Sequence, residues 1–244
     1  MNAGELRVFV VNLDAPDAEL AASAALLSAE ERARAERFRP AASRSEFVLT
    51  RAALRRVLAA ALKSSPEAIA FARGRYGKPS LADSPQRVSF NVSHSYGRAA
   101  IAVALGTAEL GIDVEQLRPM DDLEPIAARF FRPEEAAAIR QFGGMERVRA
   151  FFACWTMKEA YLKATGRGLS GDLNDCMVSL HDTGRPRLHA RGETPWHAQF
   201  VPAGTEHVCA LVYGGAPRNV NVVQVSSADS LPSLLYPGLA GRSE

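Results

Sequence analysis

Phe151-Phe152-Ala153-Cys154-Trp155-Thr156-Met157-Lys158-Glu159-Ala160-Tyr161-Leu162-Lys163 is the stretch on which the reading of this chain turns. Wound as a helix, Val148, Phe151, Phe152, Trp155 and Leu162 gather on one side at the i, i+3, i+4, i+7 spacing. Glu159 falls inside that apolar face, and Lys163 follows one turn later at its edge. A carboxylate among core-facing aromatics is unfavourable unless cations or hydrogen-bond donors receive it. Glu159 and Lys163 could instead form an ordinary exposed i, i+4 pair worth about 0.3–0.5 kcal/mol. The position of Glu159 argues against exposure and favours a ligand or metal site.

Working outward, a second acidic feature stands upstream in Gly111-Ile112-Asp113-Val114-Glu115. Read as the strand 110–115, Ile112 and Val114 face one way while Asp113 and Glu115 face the other. Two carboxylates on one strand face can converge on a hard cation such as Mg²⁺. A solvated strand face explains an isolated D-x-E equally simply; joined to Glu159, the metal reading gains weight.

The remaining elements are read from local signals. Residues 6–13 form a β-branched strand. Ser28 with Glu31 is a capping box opening a charged helix that stops near Pro40. A second helix spans about 44–62, with Phe47, Leu54, Leu58 and Leu62 as its buried stripe and Arg51 in their midst. That arginine is either paired with an internal carboxylate or aimed at an anion. Arg73-Gly74-Arg75-Tyr76-Gly77-Lys78-Pro79 reads as a basic surface loop. Strands at 88–93 and 98–105 flank Ser93-His94-Ser95-Tyr96-Gly97. A helix at 121–131 and another with Pro133 in its first turn lead to the Glu159 helix, which Gly166-Arg167-Gly168 terminates. Strands follow at 176–181, 196–201 and 207–213, and the Ser/Pro/Gly-rich remainder reads as a partly extended or loosely packed tail.

The order of elements repeats without a residue-by-residue repeat. This predicts an α+β fold of two similar lobes, 1–107 and 108–214, a tail at 215–244, and an active cleft between the lobes. At 244 residues, 47% hydrophobic and 23% charged, the chain is ordinary for a globular protein with a real core. Its apolar runs fall short of a membrane span and its start lacks a signal pattern, so no membrane association is expected. A net charge of +2 does not argue for nucleic acid. Cys154, Cys176 and Cys209 have no metal-ligand or CxxC spacing, and a reducing, cytoplasmic setting follows as the default.

Phe90-Asn91-Val92-Ser93-His94-Ser95, Gly111-Ile112-Asp113-Val114-Glu115 and Trp155-Thr156-Met157-Lys158-Glu159-Ala160-Tyr161-Leu162-Lys163 together resemble the three signature blocks of the 4′-phosphopantetheinyl transferases. Their order and spacing are similar to the longer, monomeric type named after the surfactin-synthetase activator. Arg75-Tyr76-Gly77-Lys78-Pro79 and Gly166-Arg167-Gly168-Leu169 also match, and the likeness runs from about Ser28 to Tyr213.

The resemblance implies transfer of the phosphopantetheine arm of coenzyme A to a serine of an acyl or peptidyl carrier protein, from fatty-acid, polyketide or non-ribosomal-peptide synthesis, with release of adenosine 3′,5′-bisphosphate. Asp113, Glu115 and Glu159 would bind Mg²⁺, or Mn²⁺, against the pyrophosphate. Lys78, Ser93, His94 and Lys163 would hold phosphates, Arg51 and Arg34 would grip the 3′-phosphate, and Lys158 joins the coenzyme contacts. Glu159, with Lys163 and His94, would carry the chemistry, Glu159 taking the serine proton. One family member has Lys in place of Arg34 and Thr in place of Phe47. His181, His189, His197 and His207 are expected to be structural or surface residues. A basic docking face for an acidic carrier is expected at Arg129, Arg132, Arg140, Arg147 and Arg149, a scatter of solvated arginines being the alternative. Two other functions compete: a different Mg²⁺-dependent pyrophosphate-cleaving activity, and a non-catalytic coenzyme A- or carrier-binding protein.

Overall fold

The computed structural model describes residues 4–74, 77–82, 87–106, 108–168, 171–180, 187–190 and 192–235. The Arg75-Tyr76 part of the basic loop, Leu169, His181 and the end of the tail lie outside the described residues. The first half runs β1 (Glu5–Asn12), α1 (Asp17–Ala25), α2 (Ala29–Glu36), α3 (Ala41–Leu62), β2 (Phe71–Arg73), β3 (Pro79–Leu81), β4 (Val88–Ser95) and β5 (Arg98–Leu105). The second runs β6 (Leu110–Gln116), α4 (Leu123–Phe130), α5 (Pro133–Arg140), α6 (Gly144–Thr165), β7 (Cys176–Ser179), β8 (Arg187–Ala190), β9 (Trp196–Phe200), β10 (His207–Gly214), β11 (Asn219–Val225) and α7 (Leu231–Leu235).

Strand periodicity builds the core. In β1 and β5, Phe9, Val11, Ala99, Ile101 and Val103 face α3, while Leu6, Val8, Val10, Ala100, Ala102 and Ala104 face the opposite way. The latter set meets Leu110, Ile112, Val114, Cys209, Leu211 and Tyr213 of β6 and β10. The sheet β11-β1-β5-β4 therefore packs on the sheet β6-β10-β9 through one dry layer. Each half sets its own 22-residue helix, α3 or α6, against the outer face of its sheet. The expected α+β fold is what the chain adopts.

The local signals act as expected. Ser28 and Glu31 form a reciprocal capping box, Pro133 opens α5, and Gly166 closes α6 at φ 72°. Of the two readings of the tail, the extended one holds and loose packing is corrected: β11 pairs in parallel with β1, Glu5 opposite Asn219, and Val225, Ala228 and Leu231 enter the α3 core. Its Val-rich run finds its partner about two hundred residues upstream, so no hairpin turn announces it. No helix among the described residues is long and apolar enough to cross a membrane.

Candidate active site

Gly111 sets the distance between β6 and α6. A Cβ built on it would lie 1.9 Å from the Ala160 carbonyl oxygen and 2.4 Å from the Ala164 nitrogen, so only glycine admits this approach. Helix and strand meet there backbone to backbone, and the side chains flanking the contact, Glu159 and Lys163 on α6 and Asp113 on β6, are drawn to one place.

Lys163 Nζ donates to Asp113 Oδ1 at 2.6 Å and to Ser93 Oγ at 3.0 Å, while Ser93 Oγ donates to Asp113 Oδ1 at 2.8 Å. One turn of strand further on, Ser95 Oγ donates to Glu115 Oε2 at 2.9 Å. Asn91 Oδ1 accepts the Ile112 N–H at 2.8 Å. Alternate residues of β4 thus reach across to β6, joining two sheets that share no main-chain ladder. Asn91 and Ser95 were missed by sequence reasoning; their every-second-residue spacing with Ser93 is the signal that could have found them.

Burial raises the Glu159 carboxyl above the ordinary range; the Asp113 and Glu115 charges add to this and Lys163 opposes it. Glu115 is raised by burial and by Asp113, against the Ser95 hydrogen bond, Arg118 and Lys163. The three carboxylates therefore occupy one electrostatic neighbourhood.

These residues fit a hard divalent cation by chemistry. Asp113 is 4% exposed, and its Oδ2 is buried without a hydrogen-bond partner. An orphaned, buried carboxylate oxygen beside two further carboxylates calls for positive charge. Among the described residues no three such side chains form a ready-made metal cage. Mg²⁺ does not need one, because it keeps several waters and takes one or two carboxylates together with substrate phosphates.

A cavity of about 760 Å³ runs along α2 and α3, lined among others by Arg34, Phe47, Arg51, Phe71, Val92 and His94, the last of these next in sequence to Ser93. Glu31 fixes its cationic wall. Its carboxylate accepts from Arg55 Nε at 2.8 Å and lies 3.3 Å from Arg51 Nε, while Arg55 NH1 bonds the Pro66 and Ile69 carbonyls. The sequence posed internal pairing and anion-facing as alternatives for Arg51; the structure shows the pairing with Glu31 and places Arg51 in the cavity wall. The Arg34 and Arg51 guanidiniums lie 5.1 and 5.7 Å from the Phe47 ring centroid, and Arg51 also covers Phe71 at 4.8 Å. Phe47 thus serves as a platform for two cations as well as core. His94 Nδ1 stands 3.6 Å from Glu46, which also accepts the Gly97 N–H at 2.6 Å. Burial lowers the His94 pKa; Glu46 opposes the shift, and the Lys163 and Arg34 charges reinforce it.

Two expected site residues lie elsewhere. Lys158 is fully buried on another side of α6, with Nζ 2.8 Å from Glu135 Oε2 and donating to the Leu173 and Cys176 carbonyls at 2.8 and 3.0 Å. Glu135 also accepts the Arg132 and Val178 N–H groups at 2.8 and 2.6 Å. Lys158 is therefore a pillar of the second lobe rather than a coenzyme contact. Helix α6 is buried nearly all round, and its sequence alone does not say which neighbouring charge faces the site.

Lys78 is likewise corrected. Its Nζ donates to the Leu110, Lys163 and Ala164 carbonyls at 2.9, 2.6 and 3.3 Å, clamping the end of α6 to the start of β6. Burial lowers its pKa to about 8 against the opposing charge of Glu109. Its three donors are committed to backbone rather than phosphate.

Of the expected basic face, Arg147 donates to Glu124 at 2.7 Å, Arg149 lies 3.9 Å from Glu146, and Arg132 bonds the Asn174 carbonyl. The Glu124 and Glu146 carboxylates offset part of the charge that face would present. His207 is structural, its Nε2 lying 3.1 and 3.2 Å from the Ser95 and Tyr96 carbonyls. All three cysteines are buried and outside any disulfide, and burial raises Cys176 to about 12.

Two family models match the chain: the 4′-phosphopantetheinyl transferase superfamily over residues 109–212, and the 4′-phosphopantetheinyl transferase N-terminal family over 14–105. The 4′-phosphopantetheinyl transferase HetI of Nostoc sp. strain PCC 7120 is 39% identical over 186 residues, covering 75% of this chain and 78% of that protein. The 4′-phosphopantetheinyl transferase Sfp of Bacillus subtilis strain 168 is 34% identical over 159 residues, 65% of this chain and 69% of that one. A solved holo-(acyl-carrier-protein) synthase from Bacillus anthracis str. Ames aligns at a TM-score of 0.36 with 24% identity, over 43% of this chain and 93% of that one. Fold and relatives together define an enzyme of α+β architecture. The chain belongs to the 4′-phosphopantetheinyl transferase superfamily.

Proposed function

We propose that the enzyme moves the 4′-phosphopantetheine arm of coenzyme A onto the acceptor serine of an acyl or peptidyl carrier protein, with Mg²⁺ and with release of adenosine 3′,5′-bisphosphate. The observation that carries the reading is the partnerless buried Oδ2 of Asp113, set beside Glu115, Glu159 and Lys163 near an arginine-walled cavity. Arg34 and Arg51 face the cavity where a phosphorylated ribose would be gripped, and Ser93 and His94 lie between it and the carboxylates. Coenzyme A is a polyanion whose leaving half departs with added charge. A wall of cations ending at carboxylates suits that charge distribution.

Asp113, Glu115 and Glu159 would hold Mg²⁺, which neutralises pyrophosphate charge when bound. The serine oxygen attacks the phosphorus that carries the pantetheine. The bridging P–O bond breaks, and its electron pair leaves with adenosine 3′,5′-bisphosphate. Glu159 would take the serine proton. Lys163 offers its ammonium to the phosphate oxygens that gain charge.

One chain supplies the whole site from both lobes, so a monomer suffices, and cytoplasmic residence fits the three thiols outside any disulfide. The test incubates the protein with coenzyme A, Mg²⁺ and a panel of purified apo-carriers, then weighs each carrier. A gain of one phosphopantetheine that a chelator abolishes is expected. Absence of that gain on every carrier refutes the reading.

A further inference from the structure

The hairpin joining β4 and β5 turns through Tyr96 and Gly97, at φ 42° and 78°. A tight turn with both central residues left-handed ordinarily takes Asn-Gly, Asp-Gly or Gly-Gly, and a bulky residue there is an outlier. Tyr96 is nevertheless 59% exposed, the most exposed of the large hydrophobic side chains among the described residues. Its ring does not repay the strained backbone by filling core. Strain held at a fixed surface position points to use of the side chain.

The turn is held from four directions. Gly97 N–H donates to Glu46 at 2.6 Å, Leu13 N–H donates to the Gly97 carbonyl at 2.9 Å, and His207 Nε2 lies 3.1 and 3.2 Å from the Ser95 and Tyr96 carbonyls. Its neighbour Ser95 donates to Glu115. The Arg118 guanidinium lies 5.2 Å from the Tyr96 ring centroid and 5.4 Å from that of buried Phe152, with NH1 3.8 Å from Glu115. The Arg118 side chain keeps 40% of its surface in solvent. A pre-set aromatic knob and a half-exposed cation thus form the rim of the carboxylate cluster, opposite in character to the polar interior.

We propose that Tyr96 and Arg118 form the contact that positions the carrier protein, which deepens the transferase reading and rests on it. An incoming serine must approach the carboxylates with its parent protein outside, so the rim beside Glu115 lies against whatever flanks that serine. The occupant is a carrier with an apolar side chain for the Tyr96 ring and a carboxylate for Arg118. Ring and guanidinium stacked on each other lose little freedom on binding, the behaviour of tyrosine and arginine hot spots. Phe152 beneath Arg118 keeps the guanidinium from folding inward.

The test uses a carrier that the wild-type protein modifies, and a version of it with the acceptor serine replaced by alanine for equilibrium binding. Tyr96→Gly suits the left-handed backbone, so its melting temperature should equal or exceed that of the wild type. Its KM for the carrier and its Kd for the serine-less carrier should rise about tenfold, with KM for coenzyme A within about twofold. Tyr96→Phe should stay near wild type, and Arg118→Gln should weaken carrier binding and flatten its salt dependence. Carrier KM and Kd unchanged in Tyr96→Gly would overturn the proposal while leaving the transferase reading intact. Failure of the wild type on every carrier would remove both.

Discussion

Gly111→Ala tests how the site is assembled. The added Cβ would stand 1.9 Å from the Ala160 oxygen and 2.4 Å from the Ala164 nitrogen, both backbone atoms that no rotamer change can move. Reaching the 3.4 Å of ordinary contact requires α6 to withdraw by about 1.5 Å. Such a shift would stretch the 2.6 Å Lys163–Asp113 bond beyond hydrogen-bonding range and carry Glu159 outward with it. Overpacking of this kind costs about 1–3 kcal/mol, or roughly 2–12 °C in melting temperature at this chain length. Misplacement by about 1 Å is enough to lower turnover about a hundredfold. Differential scanning calorimetry and carrier-mass kinetics measure the two effects separately. A Gly111→Ala protein with wild-type melting and wild-type kcat would refute the idea that this backbone contact positions the catalytic groups.

Other outcomes follow from the same geometry. Lys158→Ala strands Glu135 in the core and should destabilise the fold by about 3–5 kcal/mol, seen as a lowered denaturation midpoint. The folded fraction should bind coenzyme A with wild-type affinity in calorimetry; lost affinity at an unchanged midpoint would restore Lys158 to the coenzyme site. Glu159→Gln should keep the fold and lower kcat by about 10²–10⁴-fold, and wild-type turnover would remove Glu159 from the chemistry. For His94 the folded pKa lies below the ordinary 6.5, so below that pH the unfolded chain binds the proton that the folded chain refuses. Stability should fall as pH drops from 6.5 through the lowered value, and His94→Gln should flatten that slope in pH-dependent melting. Binding of polyanionic coenzyme A should raise the His94 pKa, so calorimetry in buffers of different ionisation enthalpy should detect proton uptake near pH 6.

The acidic part of the site was legible because its pattern is local. Alternation on β6 put Asp113 and Glu115 on one face, and helical spacing put Glu159 and Lys163 one turn apart on α6. Gly111 inside the same motif is the physical reason strand and helix can meet. The assignments of Lys78 and Lys158 went astray because a long side chain can turn either way, and which way is decided by carbonyls contributed from distant segments. The β4 zipper was only half seen: Ser93 stood out through its motif, while Asn91 and Ser95 looked like ordinary strand residues until β6 lay beside them. Strand β11 escaped for a topological reason, since its parallel partner is the first strand of the chain. That Arg51 pairs with Glu31 and covers Phe71 is seen only in space, since no spacing within α3 contains either partner.

The central claim is that Asp113, Glu115 and Glu159 share one divalent cation with the pyrophosphate of coenzyme A. Phosphorus NMR of coenzyme A bound to the protein, titrated with paramagnetic Mn²⁺, measures this directly. The account predicts strong broadening of the two pyrophosphate resonances in the wild type, sharply reduced in Asp113→Asn at equal coenzyme occupancy. Broadening that is identical in the two proteins, or absent from the wild type, would contradict it.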